Sequence, residues 1–185
     1  VDGGAIRPDS QALALQPTAA IESVTAADVL VVPGGPGDAG VRTDERILSW
    51  LRAIDATTQR TTSVCTGSLI LAAAGLLQGR QATTHWMAHD QLAALGARPS
   101  EQRVVADGKY VTAAGVSAGI DMALSLLGQL VGDEVAQAVQ LAIEYDPQPP
   151  YDAGSPRKAP AAAVDLVQAA AAGMFDEAGA DESRP

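Results

Sequence analysis

The chain has 185 residues, enough for one domain with a sizeable core. Hydrophobic residues make up 47% and aromatics only 3%, so alanine and aliphatic side chains must build that core. The formal net charge is −10 with no basic cluster, which disfavours nucleic acid and anionic membranes as partners.

The single cysteine excludes an internal disulfide framework and a multi-cysteine zinc site. No apolar run reaches the roughly 18–20 residues that a membrane-spanning helix needs. No basic-then-apolar signal opens the chain. The expectation is a soluble, cytoplasmic domain that uses no metal. The chain begins with Val1, and "VDGGAIRPDSQALAL" reads like the middle of a protein.

In chain order, "SQALALQP" alternates and predicts a short strand near a sheet edge. "ADVLVVPGGPGDAG" predicts a buried strand at Val29 to Val32 that runs into a glycine turn; such a continuous apolar run suits a parallel strand covered on both faces. "TDERILSWLRAID" carries Ile47, Leu48, Leu51 and Ile54 at helical spacing, with Thr43 as the expected N-cap. "RTTSVC" predicts a short β-branched strand. "TGSLILAAAGLLQG" is apolar nearly all round, which predicts a buried helix ended by Gly79.

"QATTHW" predicts a further strand and "MAHDQLAALG" a helix closed by Gly96. "QRVVADGKYVTAAG" alternates on both sides of Asp107-Gly108, the strongest local hairpin signal in the chain. "SAGIDMALSLLGQLVG" and "DEVAQAVQLAIEY" predict two helices capped by Ser117 and Asp133. "DPQPPYDAGSPRKAP" has neither pattern and predicts an ordered connector, whose tyrosines and prolines offer a partner face as an alternative. A weakly patterned helix follows from Ala159 to Met174. Residues 1–174 are expected to form a single domain, and 175–185 a disordered tail.

Strands alternating with helices predict an α/β fold with a mostly parallel sheet, whose ligands bind beyond the carboxyl ends of the strands. Two strand ends are chemically unusual, "VVPGGPG" and "SVCTG". Cys65 sits where a strand hands over to a helix, and the first N–H groups of that helix favour a thiolate over a thiol. A nucleophile and an inert buried cysteine are both open readings.

The "PGGPG" turn, with Gly34 and Gly35, permits positive φ and close backbone approach. The N–H groups of Gly35 and Thr66 would then form an oxyanion-hole-like pair beside Cys65; a plain strand-to-helix connection is the alternative. Thr66 either caps the helix or holds a water or substrate atom. His85 falls at the end of the next predicted strand, on the same sheet edge as Cys65, and is a possible site neighbour. His89 is expected to be exposed. Trp86 is expected to pack. No H-x-E pair follows either histidine, and Asp90 stands at the wrong spacing, so no Cys-His-Glu triad is visible.

"VLVVPGGPG", "SVCTGSLILAAAGLLQGRQATTHW", "GVSAGIDMALSLL" and "LAIEYDPQPPYDAGSP" together resemble the ThiJ/PfpI superfamily, which is class I glutamine amidotransferase-like. Within it they are most similar to the isonitrile (isocyanide) hydratase branch. The resemblance runs from about Leu13 to Ala159, and "EYDPQPPYDAGSP" is its more branch-specific marker. It implies a flavodoxin-like three-layer sandwich with a nucleophile elbow at Cys65, a homodimer, and no metal or organic cofactor. It implies Cys65 as the nucleophile and Thr66 as the threonine typical of this branch. A thiolate would attack the terminal isonitrile carbon, and water would release an N-substituted formamide from the thioimidate.

Two alternatives share the superfamily. One is a non-catalytic ligand-sensing domain of the kind that precedes a helix-turn-helix in AraC-type regulators. The other is a cysteine-based redox, glyoxalase-like or chaperone-like protein. The resemblance also implies an opening strand, glycine turn and helix bearing an acid against the cysteine. No such segment is seen here, so the chain is expected to be N-terminally incomplete, either a fragment or a shortened variant of doubtful activity. Glu22, Asp28 and Asp38 lie near strand ends, but none matches the position of that acid.

Overall fold

A short run of valine and leucine starts the sheet. In this computed structural model, which describes residues 13–180, β1 (Val29–Val32) places Leu30 and Val32 in the core. A four-residue helix, α1 (Asp38–Val41), follows the glycine turn, and α2 (Glu45–Asp55) follows it. Strand β2 (Arg60–Val64) lies parallel to β1, with Leu30 opposite Thr61 and Val32 opposite Ser63.

Helix α3 (Gly67–Ala73) leaves β2 directly. The two-residue β3 (Gln81–Ala82), a single 3-10 turn at Trp86–Ala88 and α4 (His89–Ala94) come next. After the two-residue β4 (Arg98–Pro99), β5 (Val104–Asp107) and β6 (Tyr110–Ala113) form an antiparallel hairpin. Asp107 pairs with Tyr110, and Gly108 has φ +66°, which matches the Asp-Gly hairpin signal. β6 lies parallel to β2, with Val64 opposite Ala113, so the sheet order is β1-β2-β6-β5.

Alternation along β6 separates two cores. Tyr110 joins one cluster with Leu30, Ile54, Leu69 and Leu92, which α2, α3 and α4 cover. Val111 and Ala113 join another with Ala118 and Met122 of α5 (Ala118–Val131), on the opposite face. Helix α6 (Asp133–Ala142) packs on α5, and α7 (Ala161–Ala180) ends the described chain. This is the mostly parallel α/β sandwich expected.

Several local expectations are corrected. The strand expected in "SQALALQP" is reduced to one bridge residue, Leu15, within residues 13–17; the earlier part lies outside the described residues. Asp44 caps α2 in place of Thr43, its Oδ1 accepting from the Arg46 N–H at 2.9 Å. Helix α3 stops at Ala73 because Gly75 turns the chain at φ +81°, well before Gly79. The N-cap of α6 is Gly132, so Asp133 is its first residue. Ser117 precedes α5 as expected, but its Oγ accepts from Arg103 Nη2 at 3.1 Å and does not cap the helix.

The segment "QATTHW" does not join the main sheet. β3 pairs only with β4, in a separate two-stranded ladder. Side chains of the β5–β6 hairpin take its N–H groups: the Gln81 N–H donates to Asp107 Oδ2 at 2.9 Å and the Thr83 N–H to Thr112 Oγ1 at 2.8 Å. The last helix begins at Ala161 and runs beyond Met174 to Ala180.

Candidate active site

β2 ends at Val64, and α3 begins at Gly67 with Thr66 as its N-cap. The two-residue joint leaves Cys65 at φ +59°, a left-handed conformation that non-glycine residues rarely adopt. Four hydrogen bonds hold it there. The Cys65 N–H is shared between the carbonyls of Ala113 (3.1 Å) and Ala114 (2.8 Å). The Cys65 carbonyl accepts from Thr84 Oγ1 (3.1 Å) and Ser68 Oγ (3.2 Å). A sharp strand-to-helix turn of this kind displays its side chain at the carboxyl edge of the sheet.

Two glycines let the neighbouring turn close on this elbow. A Cβ on Gly67 would lie 2.1 Å from the Val32 carbonyl oxygen. A Cβ on Gly34 would lie 2.5 Å from the Thr66 nitrogen and 2.6 Å from Thr66 Oγ1. Gly35, at φ +148°, then points its N–H at Thr66 Oγ1, 3.0 Å away. Its N–H is thereby committed to the threonine hydroxyl and does not stand as a free partner to the Thr66 N–H. Gly35 reaches the sulfur's surroundings through Thr66.

The sulfur belongs to a half-buried residue. Burial pushes the Cys65 thiol up from its ordinary range; the Thr66 N–H opposes this, the negative charge of Asp38 adds to it, and the Thr66 hydroxyl opposes it. The net direction is upward. The favouring of a thiolate expected from the helix N–H groups is opposed here, because desolvation of the charged form outweighs them.

Asp38 is the residue that sequence reasoning left unassigned. Its carboxylate is buried, and Oδ2 lies 2.9 Å from Arg42 Nε one helical turn on, although the N–H is not aimed along that line. Burial pushes its own pKa up against the pull of Arg42. The available signal was its place directly after the glycine turn, at the start of α1. Glu22 and Asp28 are elsewhere: Glu22 is 3.9 Å from Arg46, and Asp28 Oδ1 accepts from Gln59 Nε2 at 3.2 Å.

His85 does lie beside the elbow, although no main-sheet strand carries it. The preceding residue, Thr84, bonds the Cys65 carbonyl. The His85 ring stands 3.4 Å from where a Cβ of Gly115 would be, next to the Ala114 carbonyl that holds Cys65. Its Nδ1 accepts from the Met87 N–H at 3.4 Å, and burial followed by the charge of His89 depresses its pKa, so the ring is neutral at pH 7. His89, expected to be exposed, is half-buried, because α4 turns it toward the same space.

That space is a cavity of about 640 Å³. Thr83, His85, Trp86 and His89 line one side and Arg103 another, and the connector residues Gly154 to Arg157 form a wall. The connector lies at the surface as expected, with Gly154, Pro156 and Arg157 exposed, and its inner side lines this cavity. Arg157 Nη1 lies 3.2 Å from Glu101 Oε2, with both side chains largely exposed. Sequence pattern carried no sign of this chamber, because its walls come from distant segments.

Comparison with known proteins agrees with this fold. The model for the DJ-1/PfpI family matches residues 2–129. Isonitrile hydratase from Pseudomonas putida is 52% identical over 163 residues, covering 88% of this chain and 72% of that protein. The HTH-type transcriptional regulator CdhR of Pseudomonas aeruginosa is 34% identical over 140 residues, covering 75% of this chain and 41% of the regulator. The crystal structure of a ThiJ/PfpI family protein from Pseudomonas syringae superposes with a TM-score of 0.89 at 40% identity, covering 97% of this chain and 74% of that one.

Proposed function

We propose, from the premise that the chain belongs to the DJ-1/PfpI family, that it hydrates isonitriles to N-substituted formamides on Cys65. One observation carries the reading: the lone cysteine sits at φ +59° on a strand-to-helix elbow, in a chain 52% identical to an isonitrile hydratase.

The chemistry suits a thiol that is protonated at rest. An isonitrile carbon is nucleophilic toward a proton and electrophilic toward sulfur. Net addition of S–H across that carbon forms one C–S and one C–H bond and gives a thioimidate, R–N=CH–S–Cys65. Water then adds to the same carbon, a proton goes to nitrogen, and the C–S bond breaks. The products are R–NH–CHO and the free thiol. No oxidant, reductant or cofactor enters this balance. Asp38, whose charge acts on the sulfur, is our candidate for carrying the proton. Thr66 stands at the sulfur to steady developing charge, and Gly35 holds the Thr66 hydroxyl in place. His85, neutral beside the elbow, is a positioning neighbour.

A homodimer in the cytoplasm completes the proposal. Exposed Leu130, Val131, Val135, Val139 and Ile143 on and after α5 and α6 support a covered face. The need for a reduced thiol supports a reducing compartment. The likeness to CdhR favours one second reading, a ligand-sensing domain that binds without turnover.

The test is incubation of the purified protein with a simple alkyl isonitrile, following the formyl proton by NMR. Formamide should appear, and Cys65→Ala should abolish it. Turnover that survives Cys65→Ala would overturn the mechanism. Binding without any turnover would favour the sensing domain.

A further inference from the structure

The cavity lined in part by residues 154–157 abuts the elbow but does not contain the sulfur. Thr84 and Ala114 line it, and both also hydrogen-bond the Cys65 main chain. Both contacts are to the main chain of Cys65, which is not itself among the lining residues. The walls are chemically uneven. Trp86, Val116 and Pro156 offer apolar surface. Thr83 is fully buried on the wall, yet its Oγ1 has no hydrogen-bond partner among the described residues.

Charge sharpens the picture. The chain carries −10 overall, yet two guanidiniums and a single carboxylate, Glu101, line this chamber. Arg103 is oriented by Asp121 at Nε and by Ser117 Oγ at Nη2, and Arg157 is held by Glu101 through Nη1. Each planar fork keeps donors beyond those ties. Asp121 is itself shared with the Tyr145 hydroxyl at 2.7 Å, so its charge is not spent on Arg103 alone. Two guanidiniums at the open rim of a cavity with apolar walls, each with donors left over, suit a short carbon chain that ends in a carboxylate.

We propose that this cavity receives the N-substituent of the isonitrile and selects substituents that bear a carboxylate. The proposal rests on the hydration reading for the place of the reacting carbon. Arg157 and Arg103 grip the carboxylate, and Trp86 packs on the intervening carbons. The product class is the N-formyl amino acid.

The experiment compares isocyanoacetate with its ethyl ester, using the whole chain. We expect kcat/KM to favour the carboxylate by about tenfold or more, the scale of one charge-assisted bidentate contact. Arg157→Gln, at the exposed rim, should bring that ratio toward one. A readout free of turnover accompanies it: N-formylglycine should raise Tm, its ethyl ester should not, and Arg157→Gln should remove the shift. Equal turnover of acid and ester, or a ratio unchanged in Arg157→Gln, overturns the proposal. If the ester is hydrated while N-formylglycine leaves Tm unmoved, the cavity assignment fails and hydration stands. If neither isonitrile reacts but N-formylglycine alone shifts Tm in an Arg157-dependent way, hydration fails and the carboxylate site stands.

Discussion

The Gly35 N–H donates to Thr66 Oγ1 at 3.0 Å, tying the turn after β1 to the residue that follows Cys65. The threonine hydroxyl also faces the Gly35 carbonyl at 3.5 Å, a longer contact. Thr66→Val keeps the shape and removes the hydroxyl, leaving the Gly35 N–H without its acceptor. A part-buried orphan of this kind costs about 1 kcal/mol. The urea midpoint should fall with m unchanged, and formamide production should fall further than stability alone accounts for. Wild-type turnover in Thr66→Val would remove the threonine hydroxyl from the mechanism.

Gly34 and Gly67 are fixed by space. Alanine at 67 would drive its Cβ to 2.1 Å from the Val32 carbonyl, and alanine at 34 would meet the Thr66 nitrogen at 2.5 Å. Both contacts are to backbone, which cannot swing aside, so β1 and α3 must separate. Overpacking of this kind costs about 1–3 kcal/mol. Each variant should lose that much in chemical denaturation, and Gly67→Ala should also slow or abolish turnover by opening the elbow.

Much of this arrangement was legible because it is local. The apolar run Val29–Val32, the hairpin at Asp107-Gly108 and the strand-to-helix break at Cys65 each announce themselves within a few residues. What escaped depends on contacts far apart in sequence. Whether "QATTHW" joins the sheet is decided by Thr112 and Asp107, which take its N–H groups from about thirty residues away. The half-burial of His89 follows from a cavity between distant segments that no periodicity encodes. The thiol's upward shift escaped as well, because position at a helix start says nothing of how deeply a neighbouring turn buries the sulfur.

At the other end of the sheet, Asp55 gathers a buried cluster. Its Oδ1 accepts from Thr61 Oγ1 at 2.6 Å, and its Oδ2 accepts from the Tyr110 hydroxyl at 3.1 Å and lies 3.0 Å from Lys109 Nζ. This joins α2, β2 and β6 far from Cys65. Asp55→Ala strands the buried Tyr110 hydroxyl and leaves Thr61 Oγ1 with Thr58 Oγ1 alone, 2.7 Å away, while Lys109, partly exposed, loses a partner that solvent largely replaces. A loss of about 2–3 kcal/mol is expected in chemical denaturation. Turnover per folded molecule should be unchanged, which separates this structural cluster from the site.

Cys65 and Asp38 make the pH dependence specific. Burial and the Asp38 charge both raise the thiol, so at pH 7 the folded protein carries it protonated. The thiolate gains population only as pH climbs beyond the ordinary thiol range of about 8.5. Alkylation of folded protein by iodoacetamide should therefore rise by about tenfold per pH unit through neutrality, with a midpoint above that of a free cysteine. Asp38→Asn removes the negative charge and should move the midpoint down, while leaving the Arg42 guanidinium with no carboxylate in a partly buried place. That variant should lose stability, by about 1–3 kcal/mol after allowing for the exposed part of Arg42. If Asp38 also carries the proton to carbon, Asp38→Asn should hydrate isonitriles more slowly even though its sulfur ionises more readily. Faster alkylation with unchanged or faster hydration would leave Asp38 a purely electrostatic neighbour.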